Sequence, residues 1–151
     1  RQGIDVGFRY QPLHWLFMYS DLNIANPRSV EDAEGENFIP LAPTLTNTGG
    51  ISFNPTKNIS GGLRYRHVAD RPANEDNSIV AIGYTVLDFN INYTIKKVMF
   101  GIEINNLLNT EWNETQFATE SRLRNEAEPV EEIHFTPGTP LFVKGKLTYM
   151  F

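Results

Sequence analysis

Apolar and polar residues alternate with a period of two along most of this chain, the spacing of strands that show one face to an apolar phase and the other to a polar one. Seven segments carry the pattern, roughly 3–10, 14–25, 44–53, 59–69, 79–95, 98–106 and 141–151. In the fourth, Leu63 and Tyr65 alternate with Arg64 and Arg66. In the fifth, Leu87, Phe89, Ile91 and Tyr93 alternate with Asp88, Asn90 and Asn92. In the sixth, Val98, Phe100, Ile102 and Ile104 alternate with Met99, Gly101, Glu103 and Asn105. No convincing stripe of helical period exceeds two turns, so the pattern predicts an all-β chain of antiparallel strands with no long helix. All nine prolines (Pro12, Pro27, Pro40, Pro43, Pro55, Pro72, Pro129, Pro137 and Pro140) fall outside the seven segments, as expected of a residue without the N–H that a central strand donates.

The connectors alternate in length. Short ones at Gln11–Leu13, Asn54–Asn58 and Lys96–Lys97 follow in turn with long ones at roughly 26–43, 70–78 and 107–140, the layout of an up-and-down barrel. A two-residue turn at Lys96–Lys97 sets Ile95 against Val98, Tyr93 against Phe100, Ile91 against Ile102 and Phe89 against Ile104, with Asn90 against Glu103 and Asp88 against Asn105 on the other face. A slip of one residue would mix the two faces. The turn Asn54–Asn58 predicts Phe53 opposite Ile59, Ile51 opposite Gly61 and Thr48 opposite Arg64. The turn Gln11–Leu13 predicts Phe8 opposite Leu16 and Arg9 opposite Trp15. The stretch 107–140 has no clear periodicity and is expected to be one long, partly mobile loop.

Alternation alone does not say what the apolar face meets. In a soluble sandwich it packs against a second sheet; in a transmembrane barrel it meets lipid while the polar face lines a lumen. Two features favour lipid. Tyr10, Phe53, Tyr93, Phe100, Tyr149 and Phe151 share the apolar parity and lie within a few residues of a short turn or of the last residue, where an interfacial aromatic girdle sits. Charge is partitioned as well: the long connectors hold 14 acids and 4 bases, a net of −10, and the remainder holds 4 acids and 9 bases, a net of +5. Ordinary strand aromatics and solvated loops explain each feature separately, so a soluble all-β binding module stays open. The longest apolar run, Trp15–Tyr19, is far short of the ~20 residues of a transmembrane helix, but strands cross with about 9–11 alternating residues.

A net charge of −5 argues against a nucleic-acid partner. The chain has no cysteine, which removes disulfides, Cys-ligated zinc and a thiol nucleophile. His14, His67 and His134 sit in no zinc motif, and Glu131-Glu132-x-His134 with Glu126 and Glu128 reads as a solvated acidic loop before a cation site. Ser60 and His67 fall on opposite faces of one segment, so no nucleophile meets a base; no enzyme, metal or cofactor is predicted. If the polar face lines a lumen, Arg64, Arg66, Asp88, Asn90, Asn92, Glu103, Asn105, Lys144 and Lys146 point into it.

Four short stretches carry a family resemblance. Leu141 to Phe151 resembles the closing strand of bacterial outer-membrane barrels, whose terminal aromatic is read by the barrel-assembly machinery; Tyr149 and Phe151 would be that signal. Phe135-Thr136-Pro137-Gly138-Thr139-Pro140 resembles the Pro-Gly-x-Pro before the last strand of TonB-dependent receptors. Gly101 to Asn109 resembles that family's penultimate strand, ending in Asn-Leu-x-Asn, and Ile39-Pro40-Leu41-Ala42-Pro43 resembles its loop-to-strand junction. The resemblance covers 1–151 as the C-terminal part, about seven strands, of a receptor barrel. It implies a barrel of about 22 strands in the bacterial outer membrane around a plug, with the plug and earlier strands lying outside this sequence. It also implies uptake of a scarce nutrient such as a siderophore, cobalamin, haem or oligosaccharide; a passive porin or adhesion barrel is the alternative. The partners implied are outer-membrane lipid, the rest of the receptor, TonB through the plug, and the assembly machinery. On that placing Arg64, Arg66 and Asp88 of the lumen, and Trp112 and Phe117 of the loop 107–140, are the candidate ligand contacts.

Overall fold

Period-two segments become long strands because each can put its apolar side chains on one face and its polar ones on the other without a break. The structure, a computed structural model, describes residues 2–151. In chain order the strands are β1 (Gln2–Leu13), β2 (Leu16–Asn26), β3 (Leu45–Thr56), β4 (Ile59–Val68), β5 (Arg71–Pro72), β6 (Val80–Ala81), β7 (Tyr84–Ile95), β8 (Val98–Asn105), β9 (Asn113–Ser121), β10 (Val130–Pro137) and β11 (Phe142–Tyr149). Seven of them form one sheet in the order β1-β2-β3-β4-β7-β8-β11, and every neighbouring pair is antiparallel. This is the up-and-down meander that the connectors predict. Two smaller ladders, β5–β6 and β9–β10, stand in the long connectors.

The turn at Lys96–Lys97 sets the expected register: Ile95, Tyr93, Ile91 and Phe89 face Val98, Phe100, Ile102 and Ile104, and Asn90 faces Glu103. The expected partnering of Asp88 with Asn105 fails, since the ladder stops at Phe89 and Ile104. Asn106, at φ 51°, turns the chain there, and its N–H bonds the Asp88 carboxylate instead. The other two turns are also corrections. β3 runs on to Thr56, so Phe53 faces Gly61, Ile51 faces Leu63 and Thr48 faces Arg66, two residues from the predicted partners. β1 runs on to Leu13, so Phe8 faces Ser20 and Arg9 faces Tyr19, four residues along. Both slips are even, and every side chain therefore keeps its face. Each longer strand carries an irregularity that holds a proline, Pro12 between Tyr10 and Leu13 and Pro55 between Phe53 and Thr56. Those two, with Pro72 in β5 and Pro137 in β10, thus lie inside strands, at ladder breaks or strand ends that demand no donor.

The segment 79–95 divides. Ala81 and Val80 pair back on Arg71 and Pro72, and the wall strand begins at Tyr84. The largest correction concerns 107–140, which is not structureless: β9 and β10 form an antiparallel hairpin from Val130 opposite Ser121 to Thr136 opposite Thr115. Its period was hidden because both faces are mixed. Thr115, Phe117, Thr119 and Ser121 share one, and Gln116, Ala118 and Glu120 share the other.

Among the described residues the buried apolar side chains are small and few: Ala73, Ala81 and Val86, with Pro27 and Pro72. The apolar parity of the large sheet lies open instead, with Phe8 at 51%, Phe100 at 52% and Leu147 at 70% exposure. No second sheet of the described residues covers that face, as a sandwich requires. A wall with lipid on one side has this form. One polar knot interrupts it: the Tyr65 ring lies over Gly49, and its hydroxyl meets Asn47 Oδ1 at 3.0 Å and Ser20 Oγ at 2.9 Å.

Candidate functional site

Arg64 and Arg66 stand two apart on β4 and so share the polar face. The register of β7 places Asp88 opposite Arg64 and Val86 opposite Arg66. Arg64 Nη2 lies 3.2 Å from Asp88 Oδ2. Two similar cross-strand pairs stand on the same face, Arg9–Asp21 at 2.8 Å and Lys144–Glu103 at 3.2 Å. All three are well exposed, so each stabilises the fold by about 1 kcal/mol or less; their effect is to neutralise most of the charge on the wall.

Arg66, like Lys146 on β11, stands outside these pairs. Among the described residues it makes no ion pair. Its guanidinium lies 5.7 Å from the Tyr84 ring and 5.2 Å from the Trp112 ring, and those rings are tilted against each other at 4.8 Å. Exposed cation–π contacts of this kind contribute roughly 0.5–1 kcal/mol and leave the guanidinium N–H groups free for another acceptor.

Trp112 is held from behind. Its Nε1–H donates to the Thr139 carbonyl at 3.0 Å, and Gly138 N–H donates to the Trp112 carbonyl at 2.7 Å. Gly138 lies flat against the indole, where a Cβ would overlap the ring. Asn106, 2% exposed, joins this loop to the wall. Its Nδ2 donates to Thr110 O (2.8 Å) and Thr139 O (3.1 Å), its Oδ1 accepts from Thr110 N–H (2.9 Å), and its own N–H donates to Asp88 Oδ1 (3.0 Å). Between wall and hairpin base is a recess of ≈ 320 Å³ bordered by Arg64, Arg66, Asp88, Glu103, Trp112 and Glu114. A concavity of ≈ 350 Å³ on the same face shares Arg64, Asp88 and Glu103 and runs past Asn90, Asn92 and Lys146.

Four of the five expected ligand contacts, Arg64, Arg66, Asp88 and Trp112, therefore meet at one place. Phe117 does not border it: it stands further along β9 and stacks on His134 at 5.9 Å. Tyr84, Asn106 and Glu114 escaped sequence reasoning. Tyr84 opens its strand, and Asn106 shows only as part of the Asn-Leu-x-Asn stretch. Gln116 was missed too; it is 3% exposed and clamps Ile82, accepting its N–H at 2.9 Å and donating to its carbonyl at 2.7 Å. Other bonds tie the long connectors together: Phe38 N–H to Glu75 O, Leu41 N–H to Pro72 O, and Asn74 Nδ2 to Glu131 Oε2. In the 74–78 turn, Ser78 donates its N–H and hydroxyl to Asp76 Oδ1, holding that carboxyl below its ordinary range.

Among the described residues no three His, Asp or Glu converge as a metal site; Glu131 reaches Asn74, and Glu132 reaches Ser121 at 3.4 Å. At the other end of the sheet, Tyr149 pairs with Val98, Met150 N–H donates to Lys97 O at 2.8 Å, and the exposed Phe151 ring stands edge-on to Tyr149 at 5.3 Å.

Residues 1–107 match the family model described as TonB dependent receptor-like, beta-barrel. No curated protein matches the chain. The fold is similar to that of several solved structures, three of which follow. One is the copper transporter OprC, with TM-score 0.72 and 19% identity over 99% of this chain and 24% of that one. Another is the siderophore receptor PiuA from Acinetobacter baumannii, with TM-score 0.69 and 12% identity over 97% of this chain and 21% of that one. The third is the ferric citrate transporter FecA in the unliganded form, with TM-score 0.68 and 15% identity over 97% of this chain and 23% of that one. The chain thus spans less than a quarter of each of these chains.

Proposed function

The chain belongs to the TonB-dependent receptor-like β-barrel family, and from that premise we propose that it is a C-terminal portion of the wall of a bacterial outer-membrane importer. Its apolar parity faces lipid, its polar parity faces the lumen, and the hairpin β9–β10 stands on the extracellular side. The whole receptor takes up a scarce nutrient of the siderophore, cobalamin, haem or oligosaccharide kind, with a plug closing the lumen and TonB supplying the energy. Residues 1–151 act in binding and transport and not as an enzyme. The recess supplies ligand contacts: Arg66 offers unpaired donors, Trp112, braced by Tyr84, offers a ring face, and Arg64 with Asp88 completes the border. Tyr149 and Phe151 act as the assembly signal.

The observation that carries this reading is the meeting of Arg64, Arg66, Asp88 and Trp112 at one recess on the polar face. The test is uptake by the full-length receptor across a panel of those four nutrient classes, in cells with and without TonB. Arg66→Ala combined with Trp112→Ala is expected to weaken uptake of the cognate nutrient roughly tenfold or more, the scale of one lost charged hydrogen bond. Uptake that ignores TonB would mark a passive barrel.

A further inference from the structure

We propose that Asn106 is the positioning residue of the recess: its side chain fixes the hairpin base, and Trp112 with it, against the Arg64–Arg66 pair. Its importance for binding rests on the recess being the ligand site, but its positioning role does not. Thr139 O is a shared acceptor, receiving Asn106 Nδ2 at 3.1 Å and Trp112 Nε1 at 3.0 Å. Asp88 is a shared carboxylate, giving Oδ2 to Arg64 and Oδ1 to the Asn106 N–H. The contacts close a circuit that leaves β4 at Arg64, passes through Asp88, Asn106, Thr139 and Trp112, and returns to β4 at Arg66. Asn106 is the member that hydrogen-bonds both to the wall, at Asp88, and to the hairpin base, at Thr110 and Thr139; Trp112 meets the wall through its ring alone. Its Nδ2 hydrogens and Oδ1 are all engaged, and it is 2% exposed. Such a group leaves its partners unpaired and buried when it is removed.

A simpler role competes with this one. Asn106 has φ 51°, and a left-handed turn alone would account for an asparagine, which tolerates that region. Glycine separates the two, because it adopts positive φ without strain. The full-length receptor, with nitroxide labels on Thr48→Cys in the wall and Thr136→Cys in the hairpin, is measured by pulsed electron paramagnetic resonance. The parent is expected to give a single narrow distance peak. Asn106→Gly is expected to lose that peak to a broad distribution while the barrel keeps its heat-resistant gel mobility. An unchanged narrow peak in Asn106→Gly overturns the proposal and leaves only the turn. Asn106→Asp keeps the size, the turn and one acceptor but sets an oxygen against the Thr110 and Thr139 carbonyls, so it too is expected to broaden the peak. Should Asn106→Gly fail to assemble, Asn106→Asp decides, and a parental peak there overturns the proposal. No ligand enters this measurement, so its failure is distinct from failure of the uptake test.

Discussion

At Ile82 both backbone hydrogen-bonding groups are taken by one side chain, the Gln116 amide, which pairs there as a strand would. Gln116→Ala leaves that N–H and carbonyl without partners at a cost of about 1–3 kcal/mol. The loss is expected to be local: amide exchange at Ile82 accelerates while the melting temperature of the barrel holds. Gln116→Glu keeps the acceptor but sets a carboxylate oxygen against the Ile82 carbonyl, and is expected to accelerate that exchange at least as much as the alanine. Gln116 and Asn106 share a reason for being illegible in sequence. Each bonds backbone from a distant part of the chain, and no local pattern announces where a loop will return. Arg64, Arg66 and Asp88 were legible because they stand on strands, where parity alone assigns the face. Trp112 could be named as a loop aromatic, but its place beside Arg66 depends on Gly138 and Thr139 behind it.

At the scale of elements, two strands illustrate what pattern can and cannot fix. β1 and β3 pair two to four residues away from the registers their turns suggested, yet no side chain changed face, since parity survives any even slip. The hairpin β9–β10 was hidden because neither of its faces is uniformly apolar. β11 makes its prediction through its end. Phe151 lies beyond the last ladder pair and touches Tyr149 edge-on, so deleting it should cost about 0.5–1.5 kcal/mol, the worth of one aromatic pair. A large barrel survives that loss. If Phe151 serves assembly, its deletion lowers the amount of full-length receptor in the outer membrane while the purified receptor melts near the parental temperature. Normal membrane levels would count against an assembly role.

For the whole molecule the decisive property is the sidedness of the wall. Ile102 points from the apolar face and faces Ile91 and Gly145, while Asn90 points from the polar face and faces Glu103 and Gly62. Ile102→Arg is expected to cost about 2–4 kcal/mol in the folding of the full receptor into lipid vesicles, the depth-dependent cost of a charge on the lipid side. Asn90→Arg is expected to stay within about 0.5 kcal/mol. Equal costs would mean that the two faces meet the same medium. The connectors stitched together above this wall have an unequal tolerance for change. Their bases are pinned at Gln116, Asn106 and Phe38, whereas Gly35 has open space around it and the turn Leu123–Glu126 bonds only within itself and to Arg122. A peptide tag inserted after Gly35 or Asn125 should be displayed on intact cells and stained by antibody with uptake unimpaired, while the same tag after Thr110 should abolish uptake. On the proposed outward placing, the tips are where sequence is free to drift, and the recess beneath them can stay unchanged as they do.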